Sequence, residues 1–283
     1  MKGLKNIAVI GSGTMGNGIA HVAGQSNLKT ILIDIDDNQL NSAMATISNN
    51  LDRQLSKKII SLNEKEATLS NISLSTNISD CEHLDLVIEA VPEKHDLKAS
   101  IFKKLDQICN DNTIFASNTS SISISGLGKE TSRPDKFIGM HFMNPVPIMK
   151  LVEVINTSAT SKETTKKIIE LANKMKKIPV ECNDYPGFVS NRILMPMINE
   201  AILCLEQNVA KKEAIDDIMR LGMAHPMGPL KLADLIGLDV CLDIMMVLFK
   251  GFDDSKYRPC ALLEDMVKDG LLGKKTGKGF YKY

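Results

Sequence analysis

Residues 11–16 read Gly-Ser-Gly-Thr-Met-Gly, a G-x-G-x-x-G pattern. The pattern alone is common. Here it follows the apolar run Asn6–Ile10 (NIAVI) and opens a helix-like segment from Thr14 to about Gln25. In that setting the three glycines have separate tasks. Gly11 permits the tight turn, Gly13 lets the backbone approach a pyrophosphate, and Gly16 lets the helix pack against the strand. The helix start, with Thr14 and Met15 in its first turn, offers N–H groups and a positive dipole end to phosphate. Asp34 ends the next apolar run, KTILI, eighteen residues past Gly16. A carboxylate there accepts ribose hydroxyls of NAD and repels the 2′-phosphate of NADP. The competing reading is an exposed strand-end aspartate in a βαβ unit that binds a flavin or no nucleotide. Motif, context and Asp34 together predict an NAD site.

A second group of residues could move protons. His141 closes the run KFIGMH and enters HFMNPVP, where two prolines stiffen the chain. An imidazole titrates near neutral pH, which suits acid/base work. A lone histidine beside an apolar strand serves equally as a satisfied core residue. Glu153 interrupts LVEVI; strand alternation faces it with Leu151 and Ile155. A carboxylate on so apolar a strand needs a partner or stays protonated. His141 is the natural candidate, with water at a sheet edge as the alternative. Such a pair would orient the ring and stabilise imidazolium. Ser120 sits in SNTSSIS without G-x-S-x-G, so no hydrolase-type nucleophile is indicated. Taken alone, Ser120 is a loop serine and Asn191 a helix-start asparagine.

The elements that must position these residues alternate. NIAVI and KTILI flank a helix, which requires a right-handed crossover and a parallel sheet. Residues 37–58 and 62–70 predict a helical hairpin inserted into that alternation, the second helix opened by a Ser61/Glu64 capping box. Its Lys57 and Lys58 suit an anion or a solvated face. Strands follow at 84–91, 113–117, 136–141, 151–155 and 178–182, with helices at 97–108 and 161–176. Beyond Asp184 no strand pattern returns. Helices are expected at 188–207, 211–221, 228–250 and 259–269, the first carrying Pro196 and apolar on most faces. The fold class is α/β: a Rossmann-like doubly wound, mainly parallel sheet with a helical-hairpin insertion, then an all-α domain. The division is 1–185 for the NAD-binding domain and 186–283 for the helical domain. An all-round apolar helix must be buried, so a homodimer is expected.

Composition excludes several classes. Among 283 residues, 34 Lys and Arg balance 34 Asp and Glu, against the basic character of nucleic-acid binding domains. The six cysteines form no Cys-x-x-Cys pair and show no zinc spacing with histidine, so no metal is expected and reduced thiols are. The most apolar stretch, Val240–Phe249, contains Asp243 and falls short of the about 20 apolar residues that span a bilayer. Met1 leads almost directly into a strand pattern, which fits no signal peptide. The expected compartment is the cytoplasm.

Six strings resemble the L-3-hydroxyacyl-CoA dehydrogenase family over nearly the whole chain. They are VIGSGTMGNGIA from Val9, FASNTSSISI from Phe115, GMHFMNPVPIMKLVEV from Gly139, PGFVSNRIL from Pro186, HPMGPLKLADLIGLD from His225 and GKKTGKGFY from Gly273. The second and third together are specific to the family, and its bacterial 3-hydroxybutyryl-CoA branch is most similar. The resemblance implies NAD-dependent oxidation of a 3-hydroxyacyl-CoA substrate and the reverse reduction, which in an anaerobe runs toward butyrate. It implies that His141 is the acid/base, Glu153 its partner, and Ser120 and Asn191 the ligands of the reacting oxygen, one on each domain, so that domain closure completes the site. It places Glu93, Lys98, Asn118, Asn144 and Lys275 near the cofactor, and Lys57 near coenzyme A. Asn50 stands where animal enzymes carry a serine that touches coenzyme A, and it can still hydrogen-bond. VPEKHD and KLADLIG depart from the bacterial pattern without touching the catalytic four. No hydratase module follows, so a single activity is expected. The competing readings are an enzyme for a free hydroxy or sugar acid, and a non-enzymatic dinucleotide-binding protein. The lysines of the hairpin argue against the first, and four intact catalytic positions against the second.

Overall fold

The computed structural model describes residues 3–283, which form two compact units, one ending at Asp184 and one spanning Tyr185–Tyr283. The first unit begins β1 (Asn6–Ile10), α1 (Thr14–Gln25), β2 (Lys29–Ile33), α2 (Asp37–Ser56), α3 (Leu62–Ser70) and β3 (Ile72–Ser75). It continues with β4 (Leu86–Glu89), α4 (His95–Ile108), β5 (Ile114–Ser117), α5 (Ile124–Gly128), β6 (Phe137–Phe142), β7 (Leu151–Asn156), α6 (Lys162–Lys174) and β8 (Ile178–Asn183).

The eight strands form one sheet in the order β3-β2-β1-β4-β5-β6-β7-β8. β1, β4, β5 and β6 are almost wholly buried, as largely apolar strands in the middle of such a sheet should be. All neighbours from β3 to β6 pair in parallel; β7 then runs antiparallel to β6, and β8 parallel to β7. The order reverses at β1, and ligands of such sheets bind beyond the carboxyl ends of strands at that point. β8 is an exposed edge whose Pro179 lacks the N–H that a further strand would use.

The helical hairpin forms as its caps dictate. Asp36 accepts from the Asn38 N–H at 2.8 Å, and Ser61 and Glu64 make the reciprocal capping box. Leu40, Ala43, Ile47 and Leu51 line one face of α2 and join the sheet core with Ile19, Val22 and Ala23 of α1. β3 and α5 lie outside the sequence expectation. They are short and polar (ISLS, ISGLG), without a period to reveal them.

The second unit is helical: α7 (Ser190–Glu206), α8 (Lys212–Gly222), α9 (Pro229–Ile236), α10 (Leu238–Phe252) and α11 (Ala261–Lys268). The run 228–250 predicts one helix, and the structure breaks it at Gly237. There φ is 106° and ψ 126°, a conformation closed to side-chain-bearing residues, so one glycine caps both α9 and α10. The C-terminal segment is fastened by two buried carboxylates. Asp234 accepts from the N–H groups of Phe280 and Tyr281, each at 2.9 Å. Asp216 caps α9 through the Leu230 N–H (2.8 Å) and accepts from the Tyr281 hydroxyl (2.8 Å).

Among the described residues, no helix is long and apolar enough to cross a membrane. The cysteines are unpaired, and burial pushes the thiols of Cys81 and Cys241 up to about 12.

Candidate active site

The glycine turn lies between β1 and α1, at the reversal of strand order. Gly13 caps α1, no side chain covers the helix start, and no acidic residue stands in the first turn. The N–H groups there remain available to an anion. A Cβ on Gly16 would lie 1.7 Å from the Gly11 carbonyl oxygen, so close packing allows only glycine. A Cβ on Gly13 would meet nothing within 4 Å, which marks the open side of the turn. Thr14 is exposed there, while Met15 packs partly into the sheet core.

A cavity of about 410 Å³ opens on that side. The turn residues Ser12–Thr14 form one wall, and Gln39, Ser42, Thr46 and Asn50 of α2 a second. Asn144–Pro147 form a third. Lys177 pins that third wall, its ammonium donating to the carbonyls of Val146 and Met149. Asp34 stands at the end of β2; its Oδ2 accepts from both N and Oγ of Ser12, and its Oδ1 from the Ile35 N–H. An open glycine cradle, uncapped helix N–H groups and a strand-end carboxylate fit a dinucleotide. Lys57 is exposed at the end of α2 and is not part of the cavity lining.

His141 and Glu153 are direct partners in the β6–β7 ladder. Opposed residues of antiparallel strands project to the same face, and His141 Nδ1 lies 2.8 Å from Glu153 Oε2. Both are buried, at 8% and 4% exposure. Asn118 supports this arrangement from just past β5, its side-chain oxygen accepting the Phe142 N–H at 2.9 Å.

A second polar cluster gathers at the carboxyl ends of β4 and β5. Lys98 of α4 pairs with Glu89 at 2.6 Å and Glu93 at 3.2 Å. Glu89 also accepts from Ser117 Oγ (2.6 Å) and the Val91 N–H (2.7 Å). Glu93 Oε1 gathers the loop after β5: it accepts from Thr119 Oγ1 (2.5 Å) and from the N–H groups of Ser120 (2.9 Å) and Ser121 (3.0 Å). Ser120 Oγ lies 3.4 Å from the same oxygen. Two carboxylates share one ammonium here, and they diverge. Burial pushes the Glu89 carboxyl up despite Lys98. Burial also acts to raise Glu93, but Lys98 and the hydroxyl and N–H donors outweigh it and hold it low.

The structure therefore brings together His141 with Glu153, Ser120 with Glu93 and Lys98, and Asn50 and Asn144 with the glycine turn. In the helical unit, Asn191 lies buried in the first turn of α7, and Lys275 pairs with Asp239 at 2.6 Å. Two residues escaped the sequence reading. Glu89 falls inside the expected strand 84–91, and the signal that could have exposed it is Lys98, nine residues on. Ser12 is the variable position of the glycine motif, where the pattern itself assigns no task.

A doubly wound sheet reversing at a glycine turn, with an acid ending β2 and a buried His–Glu pair, defines a nicotinamide-dependent dehydrogenase of the Rossmann class. Residues 6–185 match the family model for the 3-hydroxyacyl-CoA dehydrogenase NAD binding domain, and residues 187–283 that for the C-terminal domain. A probable 3-hydroxybutyryl-CoA dehydrogenase of Bacillus subtilis is 52% identical over 99% of this chain and 98% of its own length. One from Deinococcus radiodurans is 53% identical over 97% and 99%. The crystal structure of (S)-3-hydroxybutyryl-CoA dehydrogenase from Ralstonia eutropha superposes with a TM-score of 0.97 at 47% identity, covering 99% of each chain. The chain belongs to the 3-hydroxyacyl-CoA dehydrogenase family, with NAD as its coenzyme.

Proposed function

We propose that the chain oxidises (S)-3-hydroxybutyryl-CoA to acetoacetyl-CoA with NAD⁺ and catalyses the reverse reduction. The observation that carries this reading is the buried His141–Glu153 pair in a chain with a complete dinucleotide cradle. Glu153 engages Nδ1, which fixes the ring, and the imidazole so held exchanges the proton of the substrate 3-hydroxyl. The carboxylate stabilises the imidazolium that results. Ser120 and Asn191 are the ligands of the reacting oxygen, supplying donors to its developing charge. Gly11, Gly13, Thr14, Met15, Gly16, Asp34, Glu93, Lys98, Asn118, Asn144 and Lys275 would hold NAD, which when bound accepts the hydride. Asn50 and Lys57 would face the coenzyme A portion.

The helical unit leaves Ile193, Ile218, Leu221 and Met223 exposed. Exposed apolar side chains of this kind suit an interface, and the proposed state is a homodimer. Six unpaired thiols suit a reducing compartment, in keeping with the cytoplasm.

The test is NADH consumption with acetoacetyl-CoA. Turnover with NADH well above that with NADPH is expected. No turnover with either coenzyme would refute the enzyme reading, and faster use of NADPH would refute the role of Asp34. A single species of monomer mass in sedimentation equilibrium would refute the dimer.

A further inference from the structure

Asp34 does not stand alone at the end of β2. Its Oδ2 accepts two hydrogen bonds from one residue, Ser12 N and Ser12 Oγ, both at 2.7 Å. Its Oδ1 accepts the Ile35 N–H at 2.8 Å. A carboxylate offers about four lone-pair positions, and the protein itself fills three. About one remains for a ribose that presents two neighbouring hydroxyls. The serine hydroxyl makes up the difference. Having donated its proton to Asp34, Ser12 Oγ keeps its acceptor lone pairs. Ser12 is almost buried, at 3% exposure, yet it lines the cavity beside the glycine turn.

We propose that Ser12 is a coenzyme-binding and specificity-determining residue. Its hydroxyl holds the Asp34 carboxylate in place and itself accepts a hydrogen bond from a ribose hydroxyl. The inference rests on the reading of this cavity as the NAD site. The discrimination follows from proton inventory. A ribose with both hydroxyls has a donor for each acceptor of the Ser12–Asp34 pair. A ribose carrying a 2′-phosphate has lost one donor and adds negative charge beside the carboxylate. The variable position inside G-x-G thus becomes part of the specificity device rather than a spacer.

The test uses the intact protein and reads binding, not turnover. NADH and NADPH are titrated by their own fluorescence against wild type, Ser12→Ala and Ser12→Gly, with thermal unfolding of each recorded. Ser12→Gly keeps the N–H donor and adds no bulk, which guards against misfolding of the alanine variant. The expected result is a rise of about five- to tenfold in Kd for NADH, the worth of one hydrogen bond, with NADPH affected less than twofold. Unchanged NADH affinity in both variants overturns the inference while leaving the NAD reading intact. Equal weakening of both coenzymes also overturns it, because that outcome reports a structural role alone. A wild-type protein that binds neither coenzyme overturns the NAD reading, and this inference with it.

Discussion

Glu153 stands directly opposite His141 across the β6–β7 ladder, with Oε2 and Nδ1 2.8 Å apart. β6 is the last strand of the parallel run, and β7 the first to reverse direction. The proposed catalytic pair therefore sits on the antiparallel joint of the sheet. Facing residues there are near neighbours on one face, with Cβ atoms about 5 Å apart. No loop has to be ordered to bring them together.

His141→Gln is expected to lower kcat by about 10²-fold or more, the usual worth of an acid/base group. Glu153→Gln should lower it in the same sense, because the ring loses the carboxylate that stabilises its charged form. NADH affinity, measured by fluorescence, should stay within about twofold of wild type for both. Wild-type turnover in either variant would place the proton transfer on another residue.

The glycine motif makes a sharper pair of predictions. Gly16→Ala should abolish coenzyme binding and destabilise the nucleotide unit, since its Cβ would sit 1.7 Å from the Gly11 oxygen. Gly13→Ala should fold normally, because its Cβ meets no atom within 4 Å. It should still weaken NADH by about tenfold or more, since a methyl group displaces a phosphate from hydrogen-bonding distance. Equal melting temperatures for the two variants would contradict this division of roles.

How far the sequence discloses such details depends on the physics behind each. β1, α1 and β2 are legible because a strand, a glycine turn and a helix constrain one another within thirty residues. The His141–Glu153 pair is half legible: alternation marks Glu153 as needing a partner, but only the register of β7 supplies it. The break at Gly237 is invisible because an isolated glycine is tolerated inside a helix at a cost of about 1 kcal/mol. β3 is invisible because four residues carry too little periodicity. Glu89 is hidden for another reason. Its burial follows from the central place of β4 between β1 and β5, a tertiary fact whose one trace in the sequence is Lys98, nine residues on.

The buried cluster around Lys98 predicts unequal costs. Lys98→Met leaves Glu89 and Glu93 without their shared cation and should cost about 3–5 kcal/mol in urea unfolding. Glu89→Gln should cost less than half as much, because Lys98 keeps Glu93 and Ser117 keeps an acceptor. Equal losses would mean that Glu89, rather than Glu93, carries the pairing.

His21 links stability to pH. It lies fully buried in α1, its Nδ1 without a partner among the described residues, and burial with the nearby Lys177 charge pushes its pKa down to about 4. Between pH 6.5 and about 4 the unfolded chain binds more protons at this residue than the folded one. The contribution is therefore complete above pH 6.5 and is lost as pH falls toward 4, by roughly 3 kcal/mol in all. His21→Leu should flatten the acid limb of the stability curve. An unchanged slope between pH 7 and 4.5 would refute this assignment.

The cavity beside the glycine turn is walled by serine, threonine, asparagine, glutamine, glycine, alanine, valine and proline, without a single ionic side chain. A pyrophosphate held there is met by backbone N–H groups and the end of a helix. Lys57, by contrast, is an exposed cation at the far end of α2. Attraction to a solvent-facing charge fades once the Debye length shrinks from about 10 Å at 0.1 M salt to about 3 Å at 1 M. Lys275, the exposed cation proposed for NAD, is already paired with Asp239, so ionic strength distinguishes the two proposed ligands. Added salt should weaken the acyl-CoA more than NADH, so the coenzyme stays seated under conditions that strip the substrate away.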